Sequence, residues 1–241
     1  MREYIKLLRV KHYIKNLLIF LPLIFSGNFF DEDLLLISVC SFISISLAAS
    51  VVYIINDIKD CEKDKLHERK KERPIASGKI SIHKASIIAV VLLIMALSLQ
   101  GVILNKWMSC VYILVYLIIN IAYSFRLKNV VLIDVCILVL GFLVRVLYGG
   151  EVIGVEVSNW LYLTVMSAAF YLGLGKRRNE IIKVGIDSRK VLQYYNKGFL
   201  DKNMYMCLGL TIVFYALWTM ENSNIIRMQI PAHLSMNSAI I

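Results

Sequence analysis

Apolar residues recur along the chain in windows close to the ~20 residues that cross a bilayer as a helix. The windows fall at 16–31, 34–56, 82–103, 107–124, 130–149, 159–175 and 204–220. They predict seven spans with no large soluble insertion, so the expected fold is all-α, a polytopic transmembrane helical bundle in one membrane domain. The first window is short and broken by Pro22, and it lacks the small-residue cleavage site of a removable signal peptide. It is read as a mature helix.

The polar stretches between windows alternate in sign. Arg2, Lys6, Arg9, Lys11 and Lys15 precede the first window, Lys59 to Lys84 follow the second, Arg126 and Lys128 the fourth, and Lys176 to Lys202 the sixth. The opposite ends carry Asp31, Glu32 and Asp33, then Asn105 and Lys106, then Glu151 and Glu156, then Glu221. The excess of Lys and Arg places the basic ends in the cytoplasm, at the inner membrane.

Composition agrees: 59% of residues are hydrophobic and 18% charged, and the mean hydropathy is +0.68, outside the usual range of soluble domains. The formal net charge of +10 needs no nucleic acid to explain it, because topology and anionic lipid headgroups account for a one-sided basic surface. No stacking platform or groove-reading motif appears. Cys40, Cys61, Cys110, Cys136 and Cys207 share no ligand spacing, and four of them sit in apolar windows as small hydrophobes. His12, His67, His83 and His233 share no spacing either.

The densest charge lies in IINDIKDCEKDKLHERKKERPIASGKI, from Ile54 to Ile80. If the second span continues as a helix past the membrane edge, Asp57, Asp60 and Asp64 fall at i, i+3 and i+7, on one face, with Asn56 beside them. Like charges at that spacing repel, and Mg²⁺, which takes carboxylate oxygens and shares its other positions with waters and phosphates, would relieve them. The competing reading is a solvated helix laced with ion pairs, since Lys63 lies three residues after Asp60 and Glu62, Lys65, Glu68 and Arg69 can pair. The position at the membrane border favours the metal, because polar groups at such depth face a cavity. Lys70, Lys71 and Arg73 then lead to Pro74 and Gly78, a turn returning the chain to the third span.

NDIKDCEKD reads as NDxxDxxxD, and with ERPIASGKIS it resembles the first signature of the UbiA-type polyprenyl transferase superfamily, intramembrane helical enzymes that handle diphosphates through Mg²⁺. RVKHYIKNLLIFLPLIFSG, YSFRLKNVVLIDV, LGFLVRVLYGG and LGLGKRRNE are similar to one branch, the decaprenyl-phosphate phosphoribosyltransferases. The resemblance covers roughly residues 5–220 and implies a transferase domain over 1–220, with 221–241 an atypical tail. The family pattern continues to nine spans, against about seven here, as a truncated or frame-shifted gene would give. One cavity wall would then open to lipid, a wall that a second copy in a homo-oligomer would supply.

The resemblance implies substrate-binding roles for Tyr123 and Lys128 of YSFRLK, a cytoplasmic helix end near which Asp134 opens the next span; topological anchoring is the alternative for the basic residues. Lys11, Lys15 and Asn16 match the branch pattern near a lipid phosphate or sugar diphosphate, with positive-inside anchoring equally open. Arg145 lies within the fifth span, where an unpaired Arg is disfavoured by about 2.5 to 3.5 kcal/mol. Asp134 shares its helix face but stands ~16 Å away by helical rise. Arg145 therefore either lines a polar crevice or snorkels outward. Lys176, Arg177 and Arg178 stand where aromatic prenyl transferases carry a second aspartate-rich motif; Asp187 and Asp201 are too far apart to replace it. Cations there suit an extra phosphate.

The activity so implied is Mg²⁺-assisted transfer of 5-phosphoribosyl from phosphoribosyl diphosphate to a polyprenyl phosphate, releasing diphosphate, for lipid-linked pentose and cell-envelope polysaccharide synthesis. Asp57, Asp60 and Asp64 would hold the metal with Asn56 assisting, and Arg73, Asp134 and Arg145 would join the residues that bind substrate. The alternatives are an aromatic prenyltransferase, which the KRRNE sequence disfavours, and a non-catalytic membrane module, which the clustering of Asn120, Asp134 and Arg145 toward particular ends disfavours.

Overall fold

The computed structural model describes residues 2–68, 70–125, 127–185 and 190–229. Its described residues are helical and turn, without strands. The chain divides into two compact units, residues 1–157 with 189–191, and residues 158–188 with 192–241.

In the first unit, α1 (Arg2–Leu8) leads into a 3₁₀ segment, Val10–Phe20, and a short helix, α2 (Leu21–Phe25). The window at 16–31, read as a mature helix broken by Pro22, folds as the end of the 3₁₀ segment and the short α2. Pro22 has no N–H to donate and its ring crowds the preceding turn, so it opens a new helix near its N-terminus instead of continuing one. Arg9 links α1 to the 3₁₀ segment with φ 53° and ψ 44°, the left-handed region that a non-glycine residue adopts at a cost.

The long helix α3 (Glu32–Lys59) is the hub, packing against α1, the 3₁₀ segment, α5 (Ile82–Ser98), α6 (Trp107–Phe125) and α7 (Ile133–Ile153). Asp31 caps its start by accepting the Leu34 N–H at 3.0 Å. Its buried face carries Ser38, Ser41, Ser44, Ser46 and Ser50. Small side chains let helices approach closely inside a bilayer, and their hydroxyls tie neighbours together. Ser44 donates to the Ala96 carbonyl at 2.7 Å, Ser50 to the Leu8 carbonyl at 2.9 Å, and Ser46 accepts from Asn16 at 2.9 Å. On α7, Gly149 lies against the 3₁₀ segment so closely that a Cβ there would stand 2.2 Å from the Ile19 carbonyl oxygen.

In the second unit α8 (Asn159–Val184) and α9 (Lys197–Gln229) pack together. Trp160 meets Phe214 and Arg178 meets Asp201, so the two helices run antiparallel.

Among the described residues five helices are long and apolar enough to cross a membrane: Glu32–Lys59, Ile82–Ile103, Trp107–Phe125, Ile133–Ile153 and Lys197–Glu221. Helix α8 has the length, but its apolar part runs into Lys176, Arg177, Arg178 and Glu180.

Candidate active site

Helix α3 ends at Lys59, Asp60 takes a non-helical conformation (φ −90°, ψ 6°), and α4 (Cys61–Lys65) starts after it. The three aspartates therefore do not lie on one continuous helix. The break turns Asp57 and Asp64 inward, 2% and 3% exposed, while Asp60 stays half-buried. Asn56 is half-buried, and its carbonyl accepts the Asp60 N–H at 2.9 Å.

Asp57 and Asp64 converge on one cation. Arg73 Nη1 donates to Asp57 Oδ1 at 3.1 Å and to Asp64 Oδ2 at 2.5 Å. The turn after it holds Arg73 in place, through Ser77 N–H to the Arg73 carbonyl at 2.8 Å and Ile80 N–H to the Pro74 carbonyl at 3.0 Å. Gly78, at φ 74°, supplies the left-handed residue that the turn requires. Asp57 Oδ1 also accepts from Arg9 Nη2 at 2.5 Å. Asp60 is set apart and faces Lys128 Nζ at 3.9 Å. Lys59, beside it, donates to the Ser124 carbonyl at 2.7 Å and lies 3.8 Å from the centre of the Phe125 ring. The ends of α3 and α6 thus meet, with Tyr123 half-buried on the last turn of α6.

Among the described residues no three acidic, His or Cys side chains stand close enough together to form a ready metal cage. Mg²⁺ does not need one, since it commonly binds one or two carboxylates and fills its octahedron with waters and phosphate oxygens. Asp57 and Asp64 fit it: two buried carboxylates already share one positive charge, and the Arg73 nitrogen stands in for the cation.

A cavity of about 420 Å³ opens beside this pair. It is lined by Ile5, Lys6, Arg9, Val10, Lys11, His12 and Arg73. Arg9 and Arg73 therefore face two ways, toward the carboxylates and toward the cavity. Partial desolvation, with the Lys15 and Arg9 cations nearby, pushes the His12 imidazole below its ordinary range. Lys15 itself is exposed.

Arg145 does not snorkel. It is 7% exposed, and its Nε donates to Asn16 Oδ1 at 2.7 Å, Nη1 to the Gly141 carbonyl at 2.5 Å and Nη2 to the Tyr116 hydroxyl at 3.0 Å. Its guanidinium also stacks over the Tyr116 ring, 4.7 Å from the centroid. Asn16 and Arg145 are thus joined in a buried clamp that ties α6 and α7 to the 3₁₀ segment and, through Ser46, to α3. Replacing Arg145 with Met leaves Asn16 and Tyr116 without that donor, and we expect a loss of about 1–3 kcal/mol in stability, read as a lower thermal midpoint in detergent. Lys in its place has one ammonium for three diverging acceptors and restores only part. Asp134 is fully buried at the start of α7.

In the second unit, Arg177 is fully buried and donates to Glu180 at 2.6 Å, and Arg178 pairs with Asp201. Lys176 borders a separate cavity of about 520 Å³ with Tyr171, Asn179, Glu180 and Lys183. Arg126 and Asp187 lie outside the described residues.

Sequence reasoning missed Arg9 and Tyr116. Arg9 reads as one more topological cation; nothing local marks it as a partner of Asp57, 48 residues away.

The UbiA prenyltransferase family model matches residues 17–228. The decaprenyl-phosphate phosphoribosyltransferase of Corynebacterium glutamicum is 30% identical over 91% of this chain and 68% of its own length. That of Mycolicibacterium smegmatis is 31% identical over 89% and 69%. Among solved structures, a UbiA homologue from Archaeoglobus fulgidus bound to GPP and Mg²⁺ superposes with a TM-score of 0.72 at 20% identity, covering 99% of this chain and 82% of that one. Helical architecture, acidic motif and sequence relatives meet on one assignment, and the chain belongs to the UbiA prenyltransferase family of membrane transferases.

Proposed function

We propose that the protein transfers the 5-phosphoribosyl group of phosphoribosyl diphosphate to a polyprenyl phosphate, at the cytoplasmic face of the inner membrane. The observation that carries this reading is the convergence of buried Asp57 and Asp64 on a single guanidinium nitrogen beside a cationic cavity. Paired carboxylates suit a diphosphate held through a divalent cation, and surrounding Arg and Lys suit phosphate oxygens. The names of relatives near 30% identity favour a phosphoribosyl donor and a decaprenyl acceptor.

In this reaction an oxygen of the lipid phosphate attacks ribose C1, the bond from C1 to the diphosphate oxygen breaks, and diphosphate leaves with the electron pair. The attacking phosphate is already ionised at neutral pH, so no general base is needed; the protein positions two anions and offsets their charge. When bound, Mg²⁺ supplies Lewis-acid neutralisation of the departing diphosphate. Asp57 and Asp64 would hold it, with Asp60 and Asn56 at the border. Arg9 and Arg73 hold the carboxylates apart from bulk water and steer donor phosphates toward them. Lys128, which faces Asp60, and Tyr123 on the last turn of α6 extend the polar rim for the phosphate-bearing substrate.

The test is an assay of membranes carrying the full chain, with radiolabelled phosphoribosyl diphosphate and a polyprenyl phosphate. Lipid-linked phosphoribose is expected, and it disappears on chelation and returns with Mg²⁺. Asp64→Asn raises the Mg²⁺ concentration for half-maximal rate by about tenfold or more, whereas Asp60→Asn shifts it by less. Product formation unaffected by chelation would overturn the metal assignment; product only from a prenyl diphosphate and an aromatic ring would overturn the donor.

A further inference from the structure

The cavity beside the acid pair has an asymmetric lining. Lys6, Arg9, Lys11, His12 and Arg73 supply donors, and Ile5 and Val10 supply apolar surface. Exposed apolar side chains continue along the same stretch of chain: Tyr4, Ile5, Val10, Ile14 and Leu17 are each more than 40% exposed. A sugar diphosphate is polar over its whole surface and has no use for such a strip. A phosphate on a hydrocarbon chain needs both, cations for its head and an apolar approach for its tail.

The donors are also unspent. Arg9 uses Nη2 on Asp57, and Arg73 uses Nη1 on Asp57 and Asp64. Each guanidinium carries five N–H donors, and the rest have no acceptor among the described residues. Lys6 pairs with Glu3 at 3.2 Å. Lys11 is exposed and makes no ion pair among the described residues. A phosphate monoester carries close to two negative charges near neutral pH, whereas a phospholipid diester carries one, so this density of donors favours the monoester.

We infer that this cavity receives the phosphate head of the acceptor lipid, with its chain leaving along Val10, Ile14 and Leu17. The assignment rests on the proposed transfer and deepens it. Because Arg9 and Arg73 touch both the cavity and the carboxylates, the lipid phosphate seated there lies one guanidinium away from the place where the donor's diphosphate is held. The N-terminal segment then acts as the acceptor-binding element, and Lys11 as the residue that recognises the lipid phosphate without touching the acid pair.

The experiment uses the purified full chain in nanodiscs of zwitterionic lipid, with farnesyl phosphate as the probe and farnesol, inorganic phosphate and phosphatidylglycerol as competitors. Farnesyl phosphate binds, and each competitor displaces it only at much higher concentration. Lys11→Glu weakens farnesyl phosphate by roughly tenfold to a hundredfold and raises the acceptor KM in proportion. The KM for phosphoribosyl diphosphate stays within about twofold, because Lys11 is remote from the carboxylates in its contacts. Lys11→Gln gives a smaller shift in the same direction, and an unchanged thermal midpoint shows that both variants fold. An unchanged farnesyl phosphate affinity in Lys11→Glu, or a rise in the donor KM in place of the acceptor KM, overturns the assignment. Phosphatidylglycerol competing as well as farnesyl phosphate overturns it too, marking a site for bulk lipid. If the wild type binds farnesyl phosphate through Lys11 but transfers no phosphoribose, the site stands and the proposed reaction falls. If transfer persists with an acceptor KM indifferent to Lys11→Glu, only the site falls.

Discussion

Asp57→Asn lowers the rate of lipid-linked phosphoribose formation by roughly 100-fold or more, the scale on which removing one preorganised electrostatic partner acts. The substitution keeps the size of the side chain and removes its charge, so it isolates electrostatics from packing. Its structural cost is smaller than burial suggests. Asp57 is 2% exposed, but Arg9 and Arg73, which lose their partner, are 21% and 28% exposed at their side chains. Both guanidiniums reach water, and Arg73 keeps Asp64 at 2.5 Å. The loss of stability should therefore stay near ~1 kcal/mol, well below the cost of stranding a fully buried charge. A thermal midpoint within a few degrees of wild type, together with a collapsed rate, is the expected combination. A variant that transfers at the wild-type rate would remove the acid pair from the mechanism.

Much of this was legible in the sequence because the signals are local. The apolar windows at 34–56, 82–103, 107–124 and 130–149 fall on long helices of the first unit, since hydrogen-bonding a backbone inside lipid leaves little choice but helix, whereas the window at 16–31 folds as a 3₁₀ segment and a short helix. The acidic motif stood out as a candidate for the same reason: three carboxylates at a membrane border are costly unless something positive meets them. The positive partner was not legible. Arg73 comes from a turn nine residues beyond Asp64, and Arg9 reaches Asp57 only because α1 folds onto α3. The break at Asp60 was also hidden, since no Pro or Gly marks it, and it decides which two of the three aspartates turn inward. Arg145 showed that it needed partners but not which ones, because Asn16 and Tyr116 lie on other elements. In the second unit, KRRNE reads as a cationic cluster suited to an extra phosphate, whereas Arg177 and Arg178 are engaged by Glu180 and Asp201. Lys176, with Asn179 and Glu180 of the same motif, borders a cavity there.

Gly149→Ala tests whether the N-terminal segment is held by the helix bundle as tightly as the acceptor site requires. The added Cβ would lie 2.2 Å from the Ile19 carbonyl oxygen and 3.0 Å from its Cα, both backbone atoms that no rotamer change can move. Ile19 is fully buried, so relief must come from shifting the segment as a body. Asn16, three residues earlier, is fixed to Arg145 at 2.7 Å and to Ser46 at 2.9 Å, and a shift of even half an ångström strains both bonds. Overpacking of this kind costs about 1–3 kcal/mol, which for a chain of this size lowers the thermal midpoint by roughly 2–4 °C per kcal/mol. Gly150→Ala is the control. Its Cβ would meet the Val155 carbonyl at 2.7 Å and a Val157 methyl at 2.9 Å, in the exposed to half-buried connection that follows α7. The first variant should lose both midpoint and acceptor affinity, because the strip from Val10 to Leu17 moves with Ile19. The second should lose a smaller part of its midpoint and keep its acceptor KM. Equal losses in the two variants would mean that the contact between α7 and the N-terminal segment is not what seats the acceptor.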